Sequence, residues 1–72
     1  MEIPDNELNG MLLFIELIKD GCKWEGELFS GKYSEALRYD VDIEERVLKT
    51  LSHFTEGTTY RIEKKYLTIY VA

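Results

Sequence analysis

Residues 8–21, LNGMLLFIELIKDG, decide the fold. From Met11 to Ile18 the stretch is apolar apart from Glu16, and Asp20-Gly21 is a strong hairpin turn, so a strand running into Cys22 is one reading. The other is a helix. Leu8, Met11, Leu12, Ile15 and Ile18 recur at helical spacing, Asp5 or Asn6 stands ready to cap, and Gly21 can end the turn.

A comparison within the chain favours the helix. Moving along by 36 residues lays Met11, Leu12, Ile15 and Ile18 over Val47, Leu48, Leu51 and Phe54, Asp20-Gly21 over Glu56-Gly57, and Trp24 over Tyr60. One helix-hairpin unit used twice, a possible internal duplication, accounts for this. Residues 43–54 are the clearer of the two helices. Ile43, Val47, Leu48, Leu51 and Phe54 form one stripe, with Glu45, Arg46, Lys49, Thr50, Ser52 and His53 opposite. Asp42 and Glu45 have capping-box spacing at its start, and Gly57 is a natural stop.

A hairpin is expected after each helix. In residues 22–41, Tyr33, Glu35, Leu37, Tyr39 and Val41 alternate with polar neighbours. A turn at Ser30-Gly31 sets Trp24 opposite Leu37, Leu28 opposite Tyr33 and Gly26 opposite Glu35. Lys23, Glu25, Glu27 and Phe29 then face outward. In residues 58–71, reversal at Lys64-Lys65 sets Ile62 opposite Leu67, Tyr60 opposite Ile69 and Thr58 opposite Val71. Two lysines lack the residues a tight primed turn prefers, so a longer loop is compatible with the pattern. The expected architecture is α+β in the order αββαββ, a four-stranded antiparallel sheet with two helices on one face. The alternative is βββαββ, in which the opening segment is a strand.

With 72 residues the chain has room for a single domain, which at this length buries only roughly 60% of its unfolded surface. An apolar surface left over would therefore be informative. The lone Cys22 cannot form an intramolecular disulfide, which suits a reducing, cytoplasmic setting. No secretory leader is visible, and the longest apolar run is well short of the ~20 residues that cross a bilayer. The net charge of −5 is unevenly spread: residues 1–45 hold twelve acids and four bases, residues 46–72 five bases and two acids.

No catalytic or metal-binding pattern is legible. Nucleophilic catalysis needs a nucleophile beside an oriented base, and the only histidine, His53, lies on the polar side of the second helix without such a neighbour. One histidine and one cysteine make no transition-metal motif. The glycines form no phosphate-binding loop, and Glu25 with Glu27 reads as a solvated pair balanced by Lys23, Lys32 and Arg38. Cys22 reads as a small apolar residue at a strand start. No cofactor is expected and the chain is not expected to be an enzyme.

Two features point to binding. If Leu8, Met11, Leu12, Ile15 and Ile18 face the core, then Gly10, Leu13, Phe14 and Leu17 form a second apolar patch on the opposite side. Such a patch marks a protein-interaction site, with Gly10 permitting close approach and Glu25 and Glu27 adding to an acidic half that suits a basic partner. This predicts a regulatory interaction module: a homodimer, an adaptor, or an inhibitor that occupies a nucleic-acid site as some small acidic viral proteins do. The second feature is Arg61, Lys64 and Lys65 among Tyr60, Tyr66 and Tyr70, a basic and aromatic set able to hold a nucleic acid. A helix followed by a basic hairpin resembles in outline the recognition helix and wing of winged-helix proteins. The resemblance would make Arg61, Lys64, Lys65 and Tyr66 the contacts, but Asp42, Glu44 and Glu45 crowd the helix start where phosphates would approach.

Overall fold

The chain folds as two successive helix-strand-strand units. They comprise α1 (Asp5–Asp20), β1 (Lys23–Glu27) and β2 (Glu35–Arg38), then α2 (Glu44–Leu51), β3 (Tyr60–Glu63) and β4 (Thr68–Val71). The computed structural model describes residues 5–28 and 31–72, with side chains from Leu8 onward. The capping expected of Asp5 or Asn6, the placement of Phe29 and the turn role of Ser30 lie outside what is described. The sheet is antiparallel in the order β1-β2-β4-β3, so the expected αββαββ architecture is the observed one and the βββαββ alternative is not.

The opening segment coils because its end can be closed locally. Gly21, at φ 113°, donates its N–H to the Ile18 carbonyl at 3.1 Å, and Cys22 donates to Leu17 at 3.0 Å. Together they satisfy the last helical carbonyls in a left-handed cap. A tight hairpin turn at Asp20-Gly21 would have left those groups to a neighbouring strand instead.

Register sorts the side chains into two faces. On the helix-bearing face one row runs Trp24, Leu37, Ile69, Ile62 and the next Glu27, Glu35, Val71, Tyr60. On the other face the rows are Lys23, Arg38, Thr68, Glu63 and Gly26, Ala36, Tyr70, Arg61. Trp24 pairs with Leu37 as expected. The ladder then slips between Trp24 and Gly26, so Gly26 faces Ala36 rather than Glu35. Glu25 is the extra residue of a β-bulge, and Gly26 takes φ 134°, which a side chain would resist. Glu25 and Glu27 therefore do not share the outward face: the bulge turns Glu27 to the helix side.

In the second hairpin the reversal takes four residues, a 3₁₀ turn at Lys64–Tyr66 and Leu67 in the left-handed region at φ 51°. Ile62 accordingly pairs with Ile69 and Tyr60 with Val71, each two positions beyond the expected partner. Side chains alternate with period two, so this correction leaves the apolar face intact. The hairpin makes up half of the sheet, with β3 at its edge.

α2 begins later than expected. Val41–Ile43 form a 3₁₀ turn, the α-helix starts at Glu44, and no side chain caps either start, so the capping box at Asp42 and Glu45 does not form. Glu44 is engaged elsewhere, accepting the Tyr39 hydroxyl at 2.9 Å. Val47 and Leu51 are buried, with Ile43, Leu48 and Phe54 packed around them.

The core joins Leu13 and Leu17 of α1 and Val47 and Leu51 of α2 to Leu37, Tyr39, Tyr60, Ile69 and Val71. This reverses the expected rotation of α1. Gly10, Leu13 and Leu17 face inward and Phe14 is half-buried, while Leu8, Met11, Leu12, Ile15 and Ile18 face out. Gly10 explains the choice: a Cβ there would stand 2.1 Å from the Ala72 carbonyl oxygen, so only a bare helix flank admits the strand end. The buried positions of the two helices align at a shift of 34 residues, Leu13 on Val47 and Leu17 on Leu51. Two residues is about 200° around a helix, so alignment at 36 exchanges the inward and outward faces.

Candidate protein interface

Every helix in this layer has an inner face set by the sheet, and the outer face is then fixed by the 3.6-residue period. On α1 that outer face is apolar. Met11 is 55% exposed, Ile15 53%, Leu12 48%, Leu8 43% and Ile18 41%. Single exposed aliphatics are ordinary, but five on one 16-residue helix form a continuous strip. The polar residues among them, Glu16 and Lys19, sit 3.7 Å apart as an exposed ion pair.

Met11, Phe14 and Ile15 form one wall of a shallow cleft whose other wall is Ser34, Glu35 and Ala72. Glu35 accepts the Trp24 indole N–H at 2.7 Å, which pins an indole still 52% exposed on the helix-bearing face. β1 is an edge strand, so Trp24 has no second strand beside it and α1 does not cover it. The apolar surface thus runs from Leu8 to Ile18 along α1, and Trp24 is a separate exposed apolar side chain on the helix-bearing face of the sheet.

The residues expected to dock a partner divide among different surroundings. Gly10, Leu13 and Leu17 are inside and Phe14 is half-buried, so these four hold α1 on the sheet and are not available as a surface. Glu25 lies 4.0 Å from Arg38 on the open sheet face, and Glu27 is exposed on the opposite face, in register with Glu35. The structure does not bring Glu25 and Glu27 together with the α1 strip. Sequence reasoning found the two-sided helix but missed which side is free. The signal that could have decided it was Gly10, since an interior glycine weakens a helix by about 1 kcal/mol and most readily repays this by close packing.

The basic set is also dispersed. Arg61 is on the open sheet face, 3.1 Å from Glu63 and with its guanidinium 5.1 Å from the Tyr70 ring centre. Lys64, Lys65 and the 61% exposed Tyr66 belong to the 3₁₀ turn, with the Lys65 ammonium 5.7 Å from the Tyr66 ring. Arg61 is thus already balanced by a carboxylate, leaving two turn lysines and one tyrosine as the exposed basic feature.

The reactive side chains are sequestered or solitary. Burial pushes the Cys22 thiol up to about 11, with the nearby Asp20 carboxylate adding to the effect. Burial likewise drives Tyr39 up to about 12, reinforced by its hydrogen bond to Glu44. Thiolate chemistry is therefore suppressed near neutral pH. His53 is exposed near Arg46 and Lys49, beside a cleft where Thr50 donates its hydroxyl to Asp20 and ties α2 to α1. Among the described residues no group of three or more His, Cys, Asp or Glu side chains is placed to hold a metal ion. No described helix is long and apolar enough to cross a membrane.

No protein-family model matches the chain, and no curated protein or solved structure is significantly similar to it.

Proposed function

We propose that this chain is a non-enzymatic protein-interaction module, a regulatory part that acts by docking the outer face of α1 and Trp24 onto another protein chain. The observation that carries the reading is the strip Leu8, Met11, Leu12, Ile15 and Ile18, turned outward on a helix already fully packed on its other side. Its size is sufficient. The exposed parts of these side chains amount to roughly 400 Å², within the range of functional patches on small proteins. At about 25 cal/mol per Å² that is a gross gain of about 10 kcal/mol, comparable with the rigid-body cost of association.

The remaining features support a binding role over a reaction. The thiol is buried and held protonated, and Arg38 and Arg61 on the open sheet face are paired with Glu25 and Glu63. A single unpaired cysteine suits a reducing compartment, and we place the protein in the cytoplasm on that ground.

The test is whether the strip is dispensable for the fold. Met11→Lys with Ile15→Lys is expected to keep cooperative unfolding, with stability changed by less than about 0.5 kcal/mol at dilutions where the wild type is monomeric. A variant that cannot fold, alongside a wild-type midpoint that does not vary with protein concentration, would mean the chain packs this face itself, and the reading would be lost.

A further inference from the structure

We infer that the α1 face is occupied by a second copy of this chain, packed antiparallel about a two-fold axis level with residue 13. The inference rests on the reading of that face as an interface and names its partner.

The spacing of the strip is the first argument. Leu8, Met11, Ile15 and Ile18 are separated by three, four and three residues, the seam spacing of paired helices, and the series reads the same in both directions. A symmetric pair must present one patch to itself, each residue meeting the image of its partner position. About residue 13, Leu8 meets the other copy's Ile18 and Met11 meets its Ile15. Leu12 flanks the axis, and all five are roughly half exposed.

Charge is the second. A chain of net charge −5 that recruited a basic partner would do so through its acids. Of those acids, Glu25 and Glu27 lie on β1 and Asp40, Asp42, Glu44 and Glu45 around the start of α2, while Asp5, Glu7, Glu16 and Asp20 belong to α1. On α1, Glu16 is paired to Lys19 and Asp20 accepts the Thr50 hydroxyl. A two-fold about residue 13 sets Glu16 level with Gly10, Lys19 with Glu7 and Asp20 with Asn6, so the antiparallel pair puts no like charges at one level.

Area is the third. Two copies of the strip bury on the order of 800 Å² in total, at the low end for protein association. The expected dimer is therefore a concentration-dependent equilibrium, with a dissociation constant on the order of 10 μM. Added salt should tighten it by screening repulsion between two acidic chains, the opposite of its effect on an acidic chain held by a basic partner.

Sedimentation equilibrium of the wild type from roughly 1 μM to 1 mM should show the mass rising from one chain toward two, with Met11→Glu and Ile15→Glu together holding it at one. A folded wild type that stays at the mass of one chain at 1 mM overturns this inference but leaves the interface reading to its own lysine test. Cross-linking gives a second measure that does not depend on the charged variant folding. Under mild oxidation Leu12→Cys should link to its own image, offset by only ~3 Å along the axis, whereas Leu8→Cys lies ~15 Å from its image and should not. A mixture of Leu8→Cys and Ile18→Cys chains should link. Cys22 is buried, so the wild type serves as the uncrosslinked control. Self-linkage of Leu8→Cys would indicate parallel pairing and overturn the two-fold arrangement, as would failure of Leu12→Cys to link.

Discussion

The two helices lie on the same sheet, share a core and are bonded to each other, yet only one of them turns a polar face outward. α2 is eight residues long, buries Val47 and Leu51, and turns Glu45, Arg46 and Lys49 outward. α1 is sixteen residues long, buries Leu13 and Leu17, and turns Leu8, Met11, Leu12, Ile15 and Ile18 outward. Fold stability requires only the inner faces. The outer face of α2 shows what such a face looks like when nothing else is asked of it, and the departure of α1 from that pattern is therefore informative about binding.

This contrast can be broken at the core first. Leu17→Ala and Leu51→Ala should each destabilise by about 2–5 kcal/mol, because both side chains are essentially fully buried and each change leaves a cavity. Chemical denaturation at low protein concentration measures both, and a Leu17 effect as small as a surface substitution would return the rotation of α1 to the reverse arrangement.

Gly10→Ala tests the same rotation through the sign of its effect. In an exposed helix the change stabilises by about 1 kcal/mol, but here the methyl group meets the Ala72 carbonyl and should destabilise by about 1–3 kcal/mol. Equilibrium unfolding gives the sign directly.

Alkaline titration probes the shared core. Cys22 and Tyr39 are both raised in the folded chain, so each contributes stability that is fully present below its unfolded pKa and is lost as pH rises toward its folded value. The window runs from about 9 to about 11 for the thiol and from about 10 to about 12 for the phenol. Each unit of upward shift corresponds to about 1.4 kcal/mol. Cys22→Ala should flatten the pH dependence of the denaturation midpoint in the lower part of that window, and an unchanged profile would contradict the burial of the thiol. Tyr39→Phe, which deletes the bond to Glu44, should cost about 0.5–1.5 kcal/mol near neutral pH, read from the same curves.

The smallest effect belongs to the outer faces. Leu12→Ser on α1 and Lys49→Ser on α2 should each change monomer stability by less than about 0.5 kcal/mol, while only the former should reduce self-association. Equal effects of both on association would erase the difference between the helices.

Much of this arrangement was legible from local pattern. The αββαββ order, the stripe on α2 and the Trp24 pairing with Leu37 follow from periodicity, and the apolar face of the second hairpin survived a wrong pairing because the slip was of two residues. What escaped had non-local causes. The bulge at Glu25 adds one residue, and one is the number that changes faces, so Glu27 moved to the other side. The rotation of α1 was undetermined by hydropathy because both of its sides are apolar. It is set by the arrival of Ala72 at Gly10 and by the tie from Thr50 to Asp20, contacts that bridge 62 and 30 positions of the chain.

The bulge has a bearing on solubility as well. β1 and β3 are the free margins of the sheet, where unsatisfied peptide groups can recruit strands from neighbouring molecules. On β1 the kink at Glu25, the glycine beside it and the charged side chains of Lys23, Glu25 and Glu27 spoil the straight template that such recruitment needs. Sheet-to-sheet polymerisation is disfavoured on that margin, which keeps β1 from competing with any closed pairing of helices. Deleting Glu25 would straighten the strand, and the cost would be expected as fibril formation rather than as loss of the fold.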